Sequence, residues 1–253
     1  MSTRIVGMTA GAAKRPRKSP ANPLGKSLGR VHAGSSESKV DQIYGALKLA
    51  IVTGELSPEA PIDKIELCAR FGVSRLSVTT AVNRLAFERL VVVEPQRGSY
   101  VSRIRISDVR QWMMVRRALE VEVVGTCAQH LEDEWIERLD RNMAYQRTAV
   151  KSGDLDGFHQ LDIAFHRLLI EGLGLDRVGE ILESVRTHVD RTRRLLLPEP
   201  GRMPATLKEH QAIYRTIADR NAAAAARAMR THLDRVLREL EVFQERHPNF
   251  FTD

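Results

Sequence analysis

The chain has 253 residues, enough for two domains with separate cores. Hydrophobic residues make up 43% and charged residues 28%, an ordinary globular balance, and no apolar run reaches the roughly 18 residues of a membrane span. The net charge of +7 gathers at one end: residues 1–38 carry seven basic side chains against Glu37, while residues 103–253 balance.

Residues 1–37 are rich in Gly, Ala, Ser, Pro and Lys/Arg and show no apolar period. They read as a disordered basic tail, which either adds sequence-independent affinity for DNA phosphates or is a solvated extension. The basic N-terminus lacks the apolar core of a secretory signal. Cys68 and Cys127 sit on apolar helical faces and read as reduced thiols of a cytoplasmic protein.

A first helix is expected from Ser38, with Val40, Ile43, Tyr44, Leu47, Ile51 and Val52 at helical spacing and Gly54 as its stop. After a turn at 58–61, Asp63 is a plausible N-cap, with Glu66 three residues on as a capping box. This second helix runs to about Phe71 and Gly72 breaks it. Ser74 then caps a third helix reaching about Arg89. Two β-rich runs follow, 90–94 and 99–102, with a hairpin tip at 95–98. Helix, tight turn, helix and a two-stranded wing make residues 38–102 a winged helix-turn-helix. The N-terminal residues of its second paired helix lie nearest the base edges of the major groove. Those are Ser74, Arg75, Ser77, Thr79 and Thr80. Arg75 suits a bidentate contact to guanine. Arg97 and Gly98 at the wing tip suit close approach to the sugar-phosphate backbone.

Residues 103–107 read as a linker. Beyond them helical periodicity continues to about residue 246, in segments near 107–129, 133–151, 154–171, 175–196, 204–219 and 221–246. The fold class expected is mainly α: an N-terminal winged helix-turn-helix followed by an all-helical antiparallel bundle over 108–246. Within the bundle Asp162 and His166 are four apart and share one helix face. His210 and His232 flank a break at 219–221 at similar distances, so two antiparallel helices bring their imidazoles together. Three imidazoles and a carboxylate favour a borderline divalent cation such as Zn²⁺, Ni²⁺ or Mn²⁺.

The first domain resembles the GntR superfamily of bacterial transcription regulators. The resemblance rests on Gly54, Leu56, Pro58, Leu67, Ala69, the run Phe71-Gly72-Val73-Ser74-Arg75, Val78, Ala81, Leu85, Gly98 and Val101. The chain departs from the pattern at Glu59, where Gly is usual, at Ser77 for Pro, and at Thr79-Thr80 for Arg-Glu. The last change implies an operator different from the usual one. The second domain resembles the FCD subgroup, the FadR-like branch, through Arg116-x-x-Leu119-Glu120, Phe158, Asp162-x-x-Phe165-His166, Glu209-His210-x-x-Ile213 and Ala226, Met229-x-x-His232. That resemblance implies that Asp162, His166, His210 and His232 bind a metal that helps hold an organic-acid effector. Arg116 matches an arginine that can face the cavity, where a guanidinium suits a carboxylate; its other reading is an ion pair with Glu120 at i+4. Arg191 and Arg194 are further candidates for the effector pocket.

The sequence thus predicts a homodimeric regulator, most simply a repressor, that binds a palindromic DNA operator and responds to a small organic acid. Two alternatives remain open at this point: a metallohydrolase with a DNA-targeting domain, and a regulator responding to fatty acyl-CoA.

Overall fold

The computed structural model describes residues 38–253; the basic tail expected over 1–37 lies outside them. Ser38 Oγ accepts from the Asp41 N–H at 3.2 Å and opens α1 (Lys39–Val52). Asp63 Oδ1 accepts from the backbone N–H groups of Ile65 and Glu66 and caps α2 (Lys64–Phe71). Gly72 ends α2 at φ 60°, a left-handed conformation that glycine adopts at little cost. Ser74 caps α3 (Arg75–Phe87) through the Ser77 N–H. Strands β1 (Val91–Glu94) and β2 (Gly98–Val101) pair antiparallel, Val91 opposite Val101 and Glu94 opposite Gly98. These elements close over a core that includes Ile43, Leu47, Leu67, Val78, Leu85 and Val101.

Glu59, where glycine is usual in the resembling family, has φ 67°. A side chain in that region costs about 1–2 kcal/mol. Its partner is Arg103 at 2.7 Å, an exposed pair of small worth. Glu59→Gly relieves the strain but enlarges the unfolded ensemble, so a net gain of about 0.5 kcal/mol is expected in urea unfolding. A loss of stability would show that the Arg103 contact outweighs the strain.

The second domain has its own core, with Met113, Val124, Phe165, Leu169, Ile213 and Leu233 at its centre. It is built from α4 (Ile106–His130), α5 (Asp133–Ser152), α6 (Leu155–Glu171), α7 (Asp176–Leu196), α8 (Arg202–Ala218) and α9 (Ala222–Arg246). α4 lies along α9, α8 packs on α9, and α5 packs on α6 and α8. Helix breaks fall at Gly153, at Gly172–Gly174 and across 197–201. No described helix is long and apolar enough to cross a membrane.

Residues 103–107, expected as a linker, hold a short strand β3 (Ile104–Arg105) and the first residues of α4. β3 pairs in parallel with β4 (Phe251–Thr252), Ile104 beside Phe251. Phe251 is 4% exposed and meets Phe243 edge-on. The two domains also touch through α1 and α7. Cys127 donates its thiol to the Leu169 carbonyl, and burial pushes that thiol up to about 12.

Candidate metal centre and nucleic-acid surface

Asp162 and His166 stand one turn apart on the buried face of α6. His210 comes from α8 and His232 from α9, across a turn in which Asn221 Oδ1 caps α9. The four residues expose 2%, 7%, 0% and 0% of their surface, and each offers a ligand atom within 4.8 Å of the others. Phe165 stacks on the His210 ring at 4.3 Å between centroids and fixes its plane.

What stands behind each imidazole decides which nitrogen it can offer. His210 Nδ1 lies 2.9 Å from Gln146 Oε1. Gln146 spends its amide N–H on Asn142 Oδ1 at 2.7 Å, so its oxygen faces the histidine and calls for a proton on Nδ1. His232 Nδ1 lies 2.8 Å from Glu209 Oε2, and Arg235 holds the other Glu209 oxygen. His166 Nδ1 is 2.5 Å from Glu120 Oε2, an ionic contact off the line of a hydrogen bond. The Nε2 atoms of all three histidines and Oδ2 of Asp162 have no hydrogen-bond partner. A buried polar atom without a partner is costly, and one divalent cation satisfies all four. Outer-nitrogen support from carboxylate or amide is the arrangement that orients metal-binding histidines. The donor set therefore fits a metal ion.

The electrostatics agree. Burial, followed by the neighbouring imidazole, lowers the proton affinity of His210 and of His232 well below the usual histidine range. Neutral imidazoles are the ligand form. Burial alone would raise the Asp162 carboxyl, but its charged surroundings, Arg193 first among them, outweigh it and hold it below the carboxylate range. Burial likewise opposes ionisation of Glu120, and Arg116 followed by His166 keeps it charged. Arg193 donates to Asp162 Oδ1 and Arg116 Nε to Glu120 Oε1, all four side chains being buried.

A cavity of about 290 Å³ opens beside His166, lined also by Arg116, Glu120, Val189, Asp190 and Arg193. Arg116 pairs with Glu120 and also lines the cavity. Arg191 and Arg194, expected at the pocket, lie elsewhere. Arg191 donates to the Ser102 carbonyl at 2.5 Å and to Ser102 Oγ at 3.3 Å, and Arg194 reaches Asp156 at 2.6 Å. Successive helix residues turn by roughly 100°, which points these three arginines to three different sides of α7. Arg193 takes the place at the cavity. Arg193 continues the stripe Val185, Val189, Arg193 at i, i+4, i+8, whose two valines are each 2% exposed, but residues 190–192 are buried as well, so the stripe alone does not single it out. Nothing local in the sequence marks Gln146. Replacing it with leucine frees the His210 tautomer, and a 10–100-fold loss of metal affinity is expected, roughly the usual cost of removing such support. Competition with a chromophoric chelator measures it; an unchanged affinity would show that Gln146 does not set the tautomer.

At the other end of the molecule Ser74, Arg75 and Thr80 are exposed on α3, and Ser77 and Thr79 are half-buried beside them. Arg97 and Gly98 are exposed at the hairpin tip, which the Tyr100 hydroxyl braces by donating to the Arg97 carbonyl at 2.7 Å.

Residues 39–101 match the family described as bacterial regulatory proteins, gntR family, and residues 111–235 match the FCD domain. The HTH-type transcriptional repressor RspR of Escherichia coli (strain K12) is 30% identical over 212 residues, covering 84% of this chain and 93% of that protein. The galactonate operon transcriptional repressor of the same strain is 23% identical, covering 81% of this chain and 97% of that protein. A putative transcriptional regulator GntR from Rhodococcus sp. RHA1 superposes with a TM-score of 0.68 at 24% identity, over 81% of this chain and 99% of that one. McbR/YncC of E. coli gives 0.67 at 16% identity, over 83% and 100%; at such identities the likeness speaks for the fold alone. With a helix-turn-helix half and an FCD half each matched in place, the chain belongs to the GntR family and is a DNA-binding transcriptional regulator, not an enzyme.

Proposed function

We propose that this regulator is a repressor whose hold on DNA is set by a small carboxylate bound beside a divalent metal ion. The observation that carries the reading is the convergence of four unpartnered buried donor atoms next to a cavity walled by two buried guanidinium groups. Asp162, His166, His210 and His232 would hold the ion, with Zn²⁺, Ni²⁺ or Mn²⁺ matching the donors. When bound, the ion supplies a positive charge and a coordination position for a ligand oxygen. Arg116 and Arg193 orient the acid through their remaining N–H groups. A volume near 290 Å³ suits an acid of a few carbon atoms.

Transmission would run through α7. Arg193 faces the cavity, and Arg191, two residues earlier on the same helix, grips Ser102 at the end of the winged domain. A ligand that competes for Arg193 shifts α7 and with it the setting of residues 102–108. That biases the equilibrium between DNA-competent and incompetent arrangements. On DNA, α3 would lie in the major groove with Arg75 on guanine, and Ser74, Ser77, Thr79 and Thr80 on phosphates and base edges. Arg97 and Gly98 would follow the backbone at the wing. A palindromic operator asks for a two-fold homodimer, and a cytoplasmic location goes with that role.

Thermal unfolding of metal-loaded and chelator-treated protein with a panel of small carboxylic acids tests this. A ligand at 100 times its Kd adds about 2.7 kcal/mol of stability. One acid should raise the midpoint of the loaded form only. If neither metal nor any acid moves the midpoint, the site is not a sensor.

A further inference from the structure

The first turn of α3 reads Arg75-Leu76-Ser77-Val78. Val78 is fully buried in the domain core, whereas Leu76 is 75% exposed. Other large apolar side chains are bare on this domain, but Leu49 lies on α1, Ile65 on α2, Phe87 at the far end of α3, and Val92 and Val93 on β1. Leu76 differs in place: it stands beside Arg75 at the end of α3 that comes nearest the bases.

Thr80 follows one turn later on the same face. Its hydroxyl proton is committed to the Leu76 carbonyl at 3.0 Å. The exposed part of that side chain therefore has a methyl group and an oxygen lone pair to offer, and no donor. Leu76 and Thr80 together form a small apolar step on a surface that otherwise carries Arg75, Asn83 and Arg84. In the major groove the one apolar group on a base edge is the 5-methyl of thymine. A leucine left in water gains by covering that methyl and gains nothing from a cytosine or a purine edge.

We propose that Leu76, with the Thr80 methyl beside it, reads the 5-methyl group of a thymine close to the guanine taken by Arg75. The inference rests on α3 being the helix that enters the major groove. It adds a second specificity element, one that works by shape and not by hydrogen bonding. It also gives Thr80 a role at the position where the resembling family has Glu.

The test uses the full chain and a duplex selected by it from a random-sequence pool. Each thymine of the half-site is replaced in turn by deoxyuridine, which lacks only the methyl. One or two positions should lose about three- to five-fold in affinity, what one buried methyl is worth. The same replacements should be neutral for Leu76→Ala, whose exposed site leaves folding intact and whose melting curve checks that. A flat deoxyuridine series overturns the proposal, as does a methyl dependence that persists in Leu76→Ala. Arg75→Ala separates this failure from that of the underlying reading. If it leaves affinity for the selected duplex unchanged, α3 is not the reading helix and both fall. If it weakens binding while the series stays flat, only the thymine contact falls.

Discussion

Replacing both His210 and His232 with alanine should lower affinity for a divalent ion by at least about a thousand-fold. Structural sites with four ligands contribute about 10–16 kcal/mol, so removing two ligands forfeits several kcal/mol, and each 1.4 kcal/mol is about tenfold. The two side chains are both 0% exposed and come from different helices, so the change also removes the ion's link between α8 and α9. In the variant, Gln146 and Glu209 lose the ring nitrogens they face, which adds a modest destabilisation without the ion. Calorimetric titration of the metal-free protein reads the affinity, and circular dichroism confirms the helical content. Binding as tight as in the unaltered protein would sink the four-residue centre, and the proposed sensing mechanism with it.

Arg193→Ala should cost the metal-free protein about 3–5 kcal/mol, the usual result of leaving a buried charge without its partner. Arg193 is the largest of the influences keeping the buried Asp162 carboxyl ionised. With the guanidinium gone, Asp162 either stays charged at high cost or takes up a proton. Added divalent ion should recover a large part of the loss, because a cation at Oδ2 does for the carboxylate what the guanidinium did at Oδ1. The order of stability without metal is then the unaltered protein well above the variant, and with metal the two draw together. Urea unfolding with and without the ion decides it; a deficit of the same size in both conditions would mean that Arg193 serves packing alone. The same residue is placed to receive a ligand carboxylate, so the rescued variant should respond weakly to acids that stabilise the unaltered protein.

Much of this architecture could be read from local pattern. Asp63 and Ser74 are caps because their side chains reach the next turn's N–H groups, and they cap the helices expected of them, while the first helix opens at Ser38 where its period begins. Gly153 and the Gly172–Gly174 break divide the bundle where the periodicity lapses. The i, i+4 step from Asp162 to His166, and the even spacing of His210 and His232 about Asn221, follow from helix geometry. The structure brings these four side chains together. Two things were not legible in that way. The parallel pairing of β3 with β4 joins two-residue strands from distant parts of the chain, and neither strand has enough residues to show an alternating pattern. The inward side of α7 was hidden for another reason. Asp190, Arg191, Thr192 and Arg193 are all buried in succession, because the helix is covered by the winged domain on one side and by the bundle on the other. Periodicity selects a face only when one face is wet. Here the choice among three arginines depended on tertiary neighbours, and Gln146, a glutamine in the middle of α5, gave no sign until its partner was in view.

The depth of the four candidate ligands has a kinetic consequence. Asp162, His210 and His232 expose at most 2% of their surface, and α8, which carries His210, packs directly on α9, which carries His232. An ion held there would come and go past His166, which alone of the four also lines the cavity, so a ligand seated in that cavity would stand in its way. An acid bound there would then slow both the entry and the release of the ion. A regulator built this way would hold its ion longest while its organic ligand is bound.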